Sequence, residues 1–230
     1  MKRTYFLTLV LAAALAGGCR GSDRDQAAAP PDGSAPVGTS GAAGDVKGAD
    51  RDFVRDAAIA NMAEVEIGRL ALQRSSDANV KEFAQMMIDD HTAASNALQS
   101  VASRNHIEMP TQVDDEHKEK AEQLGKKQMA EFDRDYADAM VDGHQAFVDK
   151  LESRVDKETL ASWKANHIDP ATGKQNEAKG EAVAIVPEKD DNPITFSLNE
   201  WAATTYPVAF AHLQAAKDLQ KGVKRRSTAP

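Results

Sequence analysis

Four ionisable side chains, one on each long helical stretch of the chain, have residue types that suit metal chemistry. His91 falls eleven residues after Val80 on a stripe of Ala84, Met87, Ala94, Leu98 and Ala102. At roughly 100° per residue that is three turns plus about 20°, so the imidazole is expected to point inward. Glu64 repeats the pattern eleven residues after Phe53, among Ala57, Ala60, Ile67 and Ala71, and His212 repeats it eleven residues after Trp201, among Val208, Ala215 and Leu219. His144, four residues after Met140, sits at the edge of a fourth stripe of Phe132, Tyr136, Met140, Phe147 and Leu151. A carboxylate and three imidazoles suit zinc, iron, manganese or copper.

Two readings of these residues stay open. A ferritin-type di-iron site takes Glu-x-x-His from each of two helices. Here the residues three before His91, His144 and His212 are Ile88, Val141 and Ala209, which cannot ligate. The residues therefore favour a buried polar network, with Glu64 paired to a histidine and Asn61, Asp90 or Tyr136 supporting the rest. A transition metal held by Glu64, His91, His144 and His212 is the alternative, and no particular cofactor follows from the sequence. No Gly-x-Ser-x-Gly elbow, phosphate loop or other catalytic motif is present, so an enzyme is not the expectation. His106 beside a loop and His117 in a charged stretch read as solvated histidines.

The elements that must carry these residues are helices. Of 230 residues, 41% are hydrophobic but only 5% aromatic, and the net charge is −8. An acidic chain is a poor nucleic-acid ligand. Helices are expected from Asp50, as N-cap, to Arg74, from Asp77 to about Asn105, over a short charged stretch from Val113 to Lys127, from Met129 to Val155, over KETLASWKANH, and through the last stretch. That last helix is expected to open with a capping box of Ser197 and Glu200, stapled by Phe196 and Trp201, and to kink near Pro207. Between them, 169–196 reads as a hairpin-like insertion, with EAVAIVP its strand candidate. The fold class is all-α: a four-helix bundle with a short extra helix and that insertion.

Residues 1–18 have Lys2 and Arg3, an apolar run and small residues, the layout of an export signal. The run ends in LAGGC, which resembles the lipobox of bacterial lipoproteins and implies cleavage before Cys19 and lipid on its thiol. Arg20, rather than Asp, follows it, which implies the outer membrane, facing the periplasm. Residues 19–49 are mostly Gly, Ala, Pro, Ser and Asp with almost no large apolar residue, a tether that cannot bury enough to fold. The bundle is expected over 50–222 and a basic tail over 223–230. The expected partners are a membrane, through the lipid, and an unidentified protein.

The segments AEVEIGRLALQRSSDANVKEFAQMMIDDHTAASNAL, FDRDYADAMVDGHQAFVDKL and TTYPVAFAHLQAAKDL resemble a ferritin-like family of exported bacterial proteins, labelled outer-membrane proteins and of unknown function. The resemblance implies a ferritin-like bundle in the cell envelope and no activity. The stretch from about Asn166 to Phe196 departs from it, being longer than the family's connection. The function expected is an envelope-tethered structural or interaction module, with a metal-binding or redox protein as the alternative.

Overall fold

A computed structural model describes residues 45–169, 172–173 and 183–227. The expected leader, Cys19 and most of the tether lie outside the described residues, as do most of 170–182 and the last three positions. Six helices run in order: α1 (Gly48–Arg74), α2 (Ala78–Arg104), α3 (Asp115–Gly125), α4 (Met129–Glu152), α5 (Lys157–His167) and α6 (Pro193–Ser227). The protein is an all-α helical bundle. Among the described residues no helix is long and apolar enough to cross a membrane.

The long helices close a ring, with α1 on α2, α2 on α6, α6 on α4 and α4 on α1. Residue contacts give their directions. Gly68 meets Ala84 and Ile88, and Asn61 meets His91, so α1 and α2 are antiparallel. Asp90 meets His212 while Asn105 meets Ser197, so α2 and α6 are antiparallel. Asp50 meets Arg154 and Glu64 lies against Gly143, so α1 and α4 are antiparallel as well. The parallel pair α2 and α4 is thus joined by one long crossover, which carries α3.

Caps explain the short connections. Asp77 accepts from the amides of Asn79 at 2.8 Å and Val80 at 3.4 Å, so three residues suffice to end α1 and start α2. Asp114 caps α3 through the His117 amide at 2.9 Å, and Asp156 caps α5 through the Thr159 amide at 2.9 Å. At the end of α2, His106 takes φ 54° while the Ile107 amide reaches back to the Ala102 carbonyl at 2.9 Å, a Schellman ending.

Several boundaries differ from expectation. Asp50 is not an N-cap but a buried first-turn residue, accepting from Arg154 Nη1 at 2.6 Å and Thr195 Oγ1 at 2.7 Å. The capping box at Ser197 does not form. Asn192 caps instead, through the amides of Ile194 at 2.9 Å and Thr195 at 3.2 Å, with Pro193 opening the helix, and Ser197 Oγ donates to the Ile194 carbonyl. A proline suits that first position because its missing N–H was an orphan in any case. From there α6 continues through Pro207 to Ser227.

Among the described residues the insertion forms no hairpin. Val183–Val186 has no regular secondary structure, and Pro187 makes one antiparallel bridge with Val155. The Asp156 amide donates to Val186 O and the Glu188 amide to Arg154 O, each at 3.0 Å. The strand signal in EAVAIVP is thus satisfied by the end of α4, and Val183 and Ile185 pack on the core there.

The core has two apolar parts. One gathers Phe53, Leu98, Phe147, Trp163, Trp201 and Tyr206, with α5 packed onto it. The other gathers Val80, Phe83, Met87, Phe132, Tyr136 and Leu219. On α1, α2 and α4 the residues between these two clusters include Glu64, His91 and His144, and on α6 His212 stands beside Leu213, just before the first cluster gives way to the second.

Candidate metal centre

The expected site residues meet in this polar layer. His91, His144 and His212 are all buried, and their ring centroids lie 5.3, 5.5 and 5.5 Å apart. One ring nitrogen of each lies within 4.8 Å of the others. His144, expected at the edge of its stripe, is 1% exposed. The reason is that α4 is covered by α1 on one side and α6 on the other, so its buried arc is wider than one stripe.

Each histidine has its second nitrogen tied to an acceptor. His144 Nδ1 lies 2.8 Å from the Met140 carbonyl, which can only accept, so that nitrogen carries the proton. His91 Nδ1 lies 2.9 Å from Asn61 Oδ1, and His212 Nε2 lies 2.8 Å from Asp90 Oδ2. The remaining nitrogens are Nε2 of His91, Nε2 of His144 and Nδ1 of His212, which in these tautomers bear lone pairs. His91 Nε2 and His144 Nε2 face each other at 3.3 Å. Two ligands at the usual zinc–imidazole distance and a tetrahedral angle stand about 3.3 Å apart.

Burial governs the protonation of the layer. It pushes His91 well below the ordinary imidazole value, helped by the neighbouring His144 and His212. Burial, then His212, brings His144 down to about 4. Both rings are therefore neutral at neutral pH, and the tautomers decide whether the facing nitrogens carry a proton. Glu64 Oε1 lies 3.7 Å from His144 Nδ1, but burial pushes the carboxyl up to about 8. The contact thus has the spacing of an ion pair, yet both groups are neutral near pH 7.

Glu64 stands beside the three histidines rather than among them. A Cβ at Gly143 would fall 2.8 Å from Glu64 Oε1, so glycine is what lets the carboxyl lie against α4. Asp90 supports His212 and Asn61 supports His91. Tyr136 supports nothing through a hydrogen bond: its hydroxyl is buried without a partner, and burial and the Glu64 charge hold its proton on. His106 is exposed, and His117 bonds its own cap residue Asp114 at 2.6 Å.

A cleft of about 780 Å³ runs between α1, α3 and α4, and Glu64, His91 and His144 line it. This feature is absent from the expectations above. Its α4 wall carries Asp135, Asp138 and Asp142, at i, i+3 and i+7. That spacing puts them on one helix face and was the available signal. The Met140 carbonyl, which orients His144, has no sequence signal, because any residue type supplies it.

Fold and site together define a helical bundle with an inward histidine layer. The family model described as Domain of unknown function (DUF4142) matches residues 35–179, and the chain belongs to that family. Glu64, His91 and His144 lie inside the match and His212 lies beyond it. No curated protein matches the chain. No solved structure matches it either.

Proposed function

We propose that the protein is a metal-binding helical bundle in which His91, His144 and His212 hold one transition-metal ion. The observation that supports this most is the pair of imidazole nitrogens at 3.3 Å, with the second nitrogen of His144 on the Met140 carbonyl and that of His91 on the Asn61 amide. In these tautomers the two facing lone pairs repel unless a cation lies between them. Three imidazoles suit zinc or copper, with iron and manganese also accessible. Asp90 on His212 is the carboxylate that sets the tautomer and raises the basicity of a metal-bound histidine.

Calorimetric titration of the stripped protein with zinc tests the reading. One site per chain is expected, with Asp90→Asn weakening it about tenfold to a hundredfold. No binding heat in the wild type contradicts it. A purely structural layer is the second reading. It is favoured by Asn61 Nδ2, which is buried without a partner. Turning that amide over would let it donate to His91 and let His91 donate to His144. That network has no response to metal.

The single long crossover between the parallel helices α2 and α4 supports a bundle of the ferritin-like kind. The leader and its one cysteine support an envelope setting, with Cys19 carrying lipid. Cys19→Ser is expected to release the protein from membranes, and a variant that stays bound contradicts the anchor.

A further inference from the structure

Around Glu64 three buried polar atoms have no hydrogen-bond partner among the described residues: Asn61 Nδ2, Glu64 Oε2 and Tyr136 Oη. Such orphans are rare in native proteins, and a group of them marks a place built for a polar guest. Asn61 and Glu64 are three apart on one face of α1, and Tyr136 on α4 is near enough for the Glu64 charge to act on its hydroxyl. The cleft reaches the same place, since Glu64, His91 and His144 all line it. Gly143, also lining the cleft, leaves the room in which the carboxyl lies. Among the described residues the group able to hold an ion is the three histidines alone. Zinc sites with three protein ligands are the ones that keep a position for an outside ligand, whereas four-ligand sites are closed.

We infer that the ion keeps one coordination position toward the cleft, where a small Lewis base such as water, hydroxide or azide binds within hydrogen-bond reach of Glu64. This rests on the three-histidine reading above. Exchange at that position breaks one metal–oxygen bond to water and forms one to the incoming base, with no change of oxidation state. Glu64 acts as a positioning residue for the incoming base.

The test uses the full chain loaded with cobalt(II), whose visible bands report coordination, titrated with azide. A saturable band shift is expected. Glu64→Ala is expected to weaken azide about tenfold while cobalt stays at one per chain, and Glu64→Gln, whose amide fills the same space and can hydrogen-bond, to restore most of the affinity. Gly143→Ala pushes the carboxyl without removing it and is expected to weaken azide severalfold. Cobalt bound with bands indifferent to azide means a closed site, which overturns this inference and leaves the metal reading standing. Absence of cobalt binding overturns both. Azide affinity equal to wild type in Glu64→Ala, or in Gly143→Ala should the first variant not fold, overturns the role of Glu64.

Discussion

Two buried groups pull the pH dependence of the metal-free protein in opposite directions. Burial raises Glu64 to about 8, so the folded chain keeps a proton that the unfolded chain sheds above its ordinary value of 4.5. The associated stability is present below that value and is lost as pH rises toward 8. Burial lowers His144 to about 4, so the unfolded chain takes up a proton that the folded chain refuses. Its stability is present above the ordinary value of 6.5 and is lost as pH falls toward 4. Glu64→Gln removes the first effect alone. In chelator, urea melts are expected to show the variant on the order of 3 kcal/mol more stable than wild type at pH 8, with the gap closing toward pH 5. A gap that does not change with pH contradicts a buried, protonated Glu64.

At the scale of elements, a buried ion pair holds three helix ends together. Arg154, just past α4, reaches Asp50 of α1 at 2.6 Å and Asn199 of α6 at 3.3 Å, and lies over the Phe53 ring. Asp50 is 1% exposed. Arg154→Ala leaves that carboxylate unpaired and is expected to cost about 3–5 kcal/mol in a denaturant melt, with Asp50→Asn recovering part of the loss. An effect under about 1 kcal/mol contradicts the pairing. The end of α2 offers a gain instead. His106 stands at φ 54°, where a Cβ is strained, so His106→Gly is expected to stabilise by about 1 kcal/mol.

The same elements show why some of the fold was legible and some was not. Stripes of eleven-residue recurrence placed Glu64, His91 and His212 in the interior because helix phase is a local property, carried by the residues themselves. The start of α6 was not legible from Ser197 and Glu200. Asn192 with Pro193 is an equally local signal five residues earlier, and the choice falls to burial of Ile194 and Thr195 against the bundle. Among the described residues of 169–196 the strand candidate pairs elsewhere than in the expected hairpin. A strand pattern states only that a backbone edge must be paired, and the partner, Val155, stands more than thirty residues away.

At the scale of the molecule, the polar layer separates two apolar clusters, and its three histidines come from α2, α4 and α6. An ion there ties three of the four long helices between the two clusters, where α1 contributes Asn61 and Glu64 instead of a ligand. Ligand linkage then sets the size of the effect. Metal at a hundred times its Kd is expected to add about 2.7 kcal/mol, a rise of roughly 5–10 °C in Tm for a chain of this size, reversed by chelator. The polar network without metal gives the same Tm in both conditions.

The central claim is the three-histidine centre, and metal stoichiometry tests it most directly. The full chain, stripped and then dialysed against cobalt(II), is expected to retain one ion. His144→Ala is expected to retain none, and His106→Gly, which changes only the exposed histidine, to retain one. A wild-type protein that retains no ion, or a His144→Ala protein that keeps its own, contradicts the account.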